Sequence, residues 1–340
     1  MAGDRYPELL RTSTHRWWRP LLGLLFASLC VLVGSVALIL AALSVAVLSG
    51  GSEDLRDNAF LDPDSPAGLL VNNLIIATLI PACLLAVLVV HRQHPGELAS
   101  VAGRVRWKVL GRLILLALVL VTLFFVGGFA IPPAGLGDVD VPPAGTLVGL
   151  LAVVLFTTPL QSAAEEVGFR GYLSQAVASW FARPVVGAIV AGAVSATLFA
   201  LAHGGQGPAL FTDRFAFGVV ASVLVWRTGG LEASIGLHVA NNLVSLGYTA
   251  ATSSIEESLE TSALDWPYAA LDVTMMVVYA VLVARLATRW NIAVRRPPAA
   301  VSAEPQASYD ALSAPEGVRY PGSRSTASPP PGQEHPWGMG

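Results

Sequence analysis

Long, nearly uninterrupted apolar runs constrain this chain more than any other feature. A helix that crosses a bilayer needs about 20 consecutive apolar residues. Eight segments qualify, at about 20–49, 68–90, 109–131, 145–166, 185–203, 209–226, 231–250 and 267–290. Composition agrees. Of 340 residues, 54% are hydrophobic and only 13% are charged, about half the charged share of a soluble domain. So few charges cannot cover a soluble surface of this size. A net charge of -3 supplies no basic face for nucleic acid. A membrane β-barrel would read as alternating segments of roughly 10 residues, and these runs do not alternate. The expected fold class is all-α, a polytopic transmembrane helical bundle with about eight spans. The first apolar run is too long for a signal-peptide core of about 7–15 residues, so it is read as an uncleaved first helix.

Orientation follows from the basic residues in short loops, which stay on the cytoplasmic side. Arg5, Arg11, Arg16 and Arg19 precede the first span. Arg92, Arg104, Arg106, Lys108 and Arg112 follow the second, and Arg289, Arg295 and Arg296 follow the eighth. The alternate loops are acidic, with Glu53, Asp54, Asp57, Asp62 and Asp64 in one, Asp138 and Asp140 in another, and Glu256, Glu257, Glu260 and Asp265 in the last. Both termini are therefore expected in the cytoplasm. Trp17, Trp18, Trp107, Trp180, Trp226, Trp266 and Trp290 fall near span ends, as an interfacial belt does. Both cysteines, Cys30 and Cys83, sit inside apolar runs, which disfavours a disulfide or a cysteine metal site. Residues 1–19 read as a cytoplasmic segment and 20–140 as three helices with their loops. A core of helices four to seven follows over 141–250, then a loop and last helix over 251–296. The Pro-, Ser- and Gly-rich stretch 297–340 cannot bury a core and reads as a disordered tail.

Ionisable groups inside a span cost roughly 2.5–3.5 kcal/mol each and are functional hypotheses by default. Between 145 and 250 the polar candidates are Glu165, Glu166 and Arg170, then His203, then His238 with Asn241 and Asn242. Glu166 and Arg170 are four apart, so they share a helix face and can pair. Phe199 and His203 share the same spacing, as do His238 and Asn242. Asn241 reads as a packing amide and Phe199 as packing. His15, His91, His94 and His335 fall outside the spans and carry no special role.

In order along the chain these residues spell EExxxR (Glu165–Arg170), FxxxH (Phe199–His203) and HxxxN (His238–Asn242), each on its own expected span. The set resembles the CPBP family of intramembrane proteases, which includes the type II CAAX prenyl endopeptidases and the bacterial Abi proteins. The resemblance covers about 165–242. It implies an intramembrane endopeptidase acting on a membrane-associated peptide, such as a CAAX-type C-terminus, in a bacterial plasma membrane. Peptide hydrolysis needs an activated water, an oxyanion stabiliser and a protonated leaving amine. By the roles proposed for the family, Glu165 beside His203 activates water. His238 and Asn242 donate to the oxyanion, and Glu166 with Arg170 forms a supporting ion pair. Two His and one Glu with an open position would suit catalytic Zn2+, making Glu165, His203 and His238 candidate ligands. A metal-free glutamate mechanism stands as the alternative. The expected partners are the lipid bilayer and a protein or peptide substrate, with no nucleic acid. A proton- or ion-coupled transporter, or a non-catalytic immunity or assembly protein, are the competing functions. Gly135-Leu-Gly-Asp138 matches the GxGD of intramembrane aspartyl proteases, but no partner aspartate lies in a neighbouring span.

Helix counting also sets depths. Glu165 lies 18 residues before Arg183 and His203 lies 19 after Pro184, so the two should stand level, about 28 Å above that turn. His238 is only eight residues past Gly230, about 12 Å. The mismatch would vanish if the fourth and fifth helices projected into the cytoplasm, with Val185–Val194 covered by a packed partner.

Overall fold

The computed structural model describes residues 3–49, 59–131, 141–252, 255 and 264–296. All the regular structure among them is helical, apart from two isolated β-bridges. The helices are α1 (Arg19–Leu48), α2 (Pro66–Ala77), α3 (Leu79–Ala86), α4 (Trp107–Gly128), α5 (Ala144–Glu166), α6 (Ser174–Ala178), α7 (Pro184–Leu201), α8 (Pro208–Thr228), α9 (Glu232–Thr252) and α10 (Trp266–Arg289). The 297–340 stretch, the GxGD match and most of the acidic loop residues lie outside the described residues.

Each of the eight apolar runs becomes helix, and seven are long and apolar enough to cross a membrane. The protein is an integral, multi-pass helical bundle. The exception is α9, the least apolar of the eight expected spans. It is the central helix, packed by α4, α5 and α8. Ala233, Leu237 and Ala240 on it join Leu113 and Ala117 of α4, Phe217 and Leu224 of α8, and Met275, Met276 and Tyr279 of α10 in one core. Because protein rather than lipid surrounds it, α9 can carry the polar residues that keep its mean hydropathy low. Outer helices show the reverse pattern. Leu25, Leu115 and Phe156 are 68%, 65% and 75% exposed, as befits side chains whose solvent is lipid.

Local sequence explains the breaks. Ser65 caps α2 by accepting from the Gly68 amide at 2.9 Å, and Pro66 takes the first helical position, where its missing N–H costs nothing. Pro81 cannot bond back to Ala77, so the span breaks between α2 and α3 at Thr78. The fourth span runs on past 166 to Ala178 as one helical stretch. Residues Val167–Leu173 within it form a π-helical segment, a local widening often found at functional sites.

The basic loops meet at one end of the bundle. The Val101 amide donates to Gly229 O at 2.8 Å and the Leu231 amide to Ala99 O at 3.0 Å. Arg106 clamps Glu232 with Nε and Nη2 at 2.8 and 2.5 Å, and also donates to Thr228 O and Ala293 O. Gly229 supplies the left-handed turn (φ 66°) that ends α8. The N-terminal segment lies across this end, where Tyr6 is buried and donates to Leu98 O at 2.5 Å. Burial pushes the Tyr6 hydroxyl well above its ordinary pKa, which keeps it a donor. The Arg296 amide bonds to Asp4 O at 2.8 Å. The first and last described segments thus sit at the same end, as an even number of crossings requires.

The depth expectation needs correcting. Gly192 faces Ser222 and Ala196 faces Gly218 across α7 and α8. Continuing that register places Val186 opposite Thr228, so α7 overshoots α8 by only about half a turn. Val185, Val186 and Ile189 are exposed, not covered by a partner. Ser195 Oγ donates to Phe169 O at 2.9 Å, which aligns Glu165 with Phe199, one turn below His203. His238 packs on Phe217, eleven residues above Thr228, about 16 Å against its own 12 Å. The mismatch shrinks to less than one turn without a projecting pair.

Candidate active site

Two adjacent carboxylates on α5 organise a polar cluster in the middle of the bundle. They have different surroundings because consecutive helical residues point about 100° apart. Glu166 is fully buried. Its Oε1 accepts from Arg170 Nη1 at 2.8 Å and from His238 Nδ1 at 3.0 Å. Glu165 keeps 12% of its side chain exposed. Its Oε1 accepts from Gln161 Nε2 at 2.6 Å, and its Oε2 lies 3.5 Å from His238 Nε2. That oxygen and Glu166 Oε2 are both buried and have no hydrogen-bond donor among the described residues.

Aromatic rings support the cluster. Arg170 is 1% exposed, and its guanidinium carbon sits 4.1 Å from the Phe199 ring centroid and 5.3 Å from that of Phe217. A cation over ring faces gains about 2 kcal/mol when desolvated, which accounts for the two guanidinium nitrogens that find no oxygen acceptor. His238 stands edge-on to both rings, at 5.8 Å from Phe199 and 4.9 Å from Phe217. Gly218 lets this happen. A Cβ there would stand 2.6 Å from Ala196 Cα and 3.3 Å from Arg170 Nη2.

The partners of each imidazole set its tautomer. A carboxylate or carbonyl oxygen only accepts, so His238 carries a proton on Nδ1, facing Glu166. His203 likewise carries one on Nδ1, facing Phe199 O at 2.8 Å. His203 Nε2 is then a free lone pair in the neutral ring. His203 differs from its expected place. α7 ends at Leu201, and His203 lies in the turn beyond it, exposed. No hydrogen bond joins it to Glu165 among the described residues, although the two are within electrostatic reach. Asn242 is held on the other side, its Nδ2 donating to Gln161 Oε1 and Ser162 Oγ, each at 3.2 Å. Asn241 lies apart, facing a cavity of about 400 Å³ between α4, α9 and α10.

The three donors named for zinc do not converge. Among the described residues, no group of three His, Cys, Asp or Glu side chains is placed to hold a metal ion. His203 stands a turn away from Glu165 and His238. As placed in this structure, Glu165, His203 and His238 do not form a three-ligand zinc site.

Several contributors were not singled out from the sequence. Gln161 and Ser162 tie Glu165 to Asn242. Gln161 sits four residues before Glu165, so a polar residue at helical spacing in an apolar span was the signal. Phe217 had no signal, since nothing local separates it from core. Asp213 and Arg214 are charged residues within α8 that the span inventory omitted. Asp213 is 8% exposed with Oδ1 unpartnered, and Arg214 Nη1 donates to Gln206 Oε1 at 3.0 Å. His91, expected outside the spans, ends the second one. It is buried against the Tyr172 hydroxyl at 3.0 Å.

Comparison with known proteins bears on this segment. Residues 146–244 match the family described as type II CAAX prenyl endopeptidase Rce1-like. The chain is 25% identical over 228 residues to the uncharacterized protein YyaK of Bacillus subtilis (strain 168), covering 66% of this chain and 76% of that protein. No solved structure matches. The matched stretch contains Glu165, Glu166, Arg170, His203, His238 and Asn242, and over it the chain is similar to the Rce1-like family of type II CAAX prenyl endopeptidases.

Proposed function

We propose that this protein is an intramembrane endopeptidase that trims membrane-associated proteins at CAAX-type C-termini, with Glu165 as general base. The observation that supports this most is the asymmetry of the carboxylate pair. Glu166 is fully sealed and its Oε1 is shared by Arg170 and His238, whereas Glu165 has no arginine partner, keeps 12% of its side chain exposed and turns Oε2 to His238 Nε2 at 3.5 Å, an imidazole held from behind. The Oε2 of each carboxylate has no protein donor among the described residues. Water at Glu165 Oε2 gives up a proton to that oxygen as its own oxygen adds to the scissile carbonyl. His203 Nε2 offers a second acceptor for the same water. The oxyanion takes a hydrogen bond from Asn242, beside His238, whose ring Glu166 holds through Nδ1. The proton on Glu165 then moves to the leaving nitrogen as the C–N bond breaks, so one water is consumed and an acid and an amine form. No step is routed through a metal. The same reading places the protein in a bacterial plasma membrane, which fits the bacterial relative.

The test compares membranes from cells carrying the wild-type chain or Glu165→Gln, by terminal-peptide mass spectrometry. New C-termini, lacking a short tripeptide-sized piece, should occur only with the wild type. Identical terminal peptides in both would refute the assignment of Glu165.

A further inference from the structure

Gln161 lies one helical turn before Glu165 on the same face of α5, and it is 7% exposed. The two ends of its amide meet opposite requirements. Oε1 accepts from Asn242 Nδ2 at 3.2 Å and Ser162 Oγ at 3.3 Å, while Nε2 donates to Glu165 Oε1 at 2.6 Å. A flipped amide would set NH2 against NH2 on one side and carbonyl against carboxylate on the other, so the orientation is pinned from both ends. Two consequences follow. The Oε1 of Glu165 is occupied as an acceptor, which leaves Oε2 as the oxygen turned to His238. Asn242 Nδ2 already donates to Gln161 Oε1 and Ser162 Oγ, so its amide is held in place beside Glu165 through Gln161.

We infer that Gln161 is a positioning residue, which presents Glu165 Oε2 to the attacking water and holds Asn242 in register across α5 and α9. The inference rests on the reading of Glu165 as the base and lies outside the three spaced motifs. A glutamine that only packed the helices together would affect stability without a preference for the catalytic step. A positioning residue acts on kcat, because the substrate binds the same surface while the base and the oxyanion donor lose their aim.

The test uses the full chain in lipid nanodiscs and an internally quenched farnesylated peptide ending in a CAAX sequence. Gln161→Leu keeps most of the volume and removes all three hydrogen bonds of the side-chain amide. Its kcat should fall about 10- to 100-fold, the usual effect of losing a partner that orients a functional group, with KM within about twofold. The activity-independent arm is a thermal-unfolding cycle. Gln161→Glu opposes two carboxylates, and adding Glu165→Gln exchanges donor and acceptor and restores the contact. The double variant should therefore unfold near the wild-type temperature yet cleave nothing. Unchanged kcat in Gln161→Leu, a loss confined to KM, or additive stability effects in the double variant would each overturn the inference. Cleavage that survives Glu165→Gln would instead sink the proposed base, and the stability cycle would still judge the Gln161–Glu165 contact.

Discussion

Replacing Arg170 should separate stability from chemistry. Its guanidinium is 1% exposed, 2.8 Å from Glu166 and stacked on Phe199. Arg170→Met leaves the Glu166 carboxylate in an apolar interior with only His238 beside it. Removing one partner of a buried ion pair costs about 3–5 kcal/mol, which at about 2–4 °C per kcal/mol for a body of this size lowers Tm by about 6–20 °C. Replacing both partners, Glu166→Met with Arg170→Met, removes the stranded charge and should recover most of that stability, since apolar substitutes for a buried pair are often neutral or better. Activity should not recover. With Glu166 gone, nothing holds the Nδ1 proton of His238 or fixes the ring beside Glu165. The assay is unfolding followed by tryptophan fluorescence in nanodiscs, alongside cleavage of the quenched peptide. A double variant as unstable as the single one would refute the ion-pair account. A double variant that cleaves at the wild-type rate would refute the role given to Glu166.

Three further outcomes are expected. Arg106→Ala strands the 2%-exposed Glu232 carboxylate and frees two carbonyls at the basic end. It should cost about 3–5 kcal/mol in chemical unfolding while leaving kcat nearly unchanged at permissive temperature. Gly218→Val drives a branched side chain into Ala196 and Arg170. Overpacking of this kind costs about 1–3 kcal/mol, so Tm should fall and cleavage should fall with it, because the ring cage around Arg170 must shift. Exhaustive dialysis of the purified protein against EDTA should leave the cleavage rate within about twofold of the untreated value, and a loss restored by added zinc would contradict direct water activation by Glu165.

Much of the molecule was legible before any tertiary information. The helical runs lie within a few residues of the apolar stretches, because burying an unpaired backbone in lipid is so costly that only complete helices survive there. The polar residues at four-residue spacing also come together as spacing implies, since i and i+4 share a face. Legibility ended where a property depends on a partner from another helix. Glu165 and Glu166 are the same residue type, one position apart, and only contacts with Arg170, His238 and Gln161 give them different surroundings. His203 looked like a span residue, but Gly204 and Gly205 let the chain leave the helix before it. α9 looked like another lipid-facing crossing, yet it is wrapped on several sides.

Composition and periodicity alone therefore determined a multi-pass helical bundle, its basic and acidic ends, and the short set of polar groups within it. These follow from local transfer energies and helix geometry, which each segment carries with it. The tertiary structure alone decided which carboxylate is sealed against Arg170 and which keeps some exposure, which imidazole nitrogen faces Glu166, and that Gln161 joins the α5 carboxylate to the α9 amide. Those depend on distances of about 3 Å between residues some 80 positions apart, and hydrogen-bond directionality gives such distances their chemical meaning.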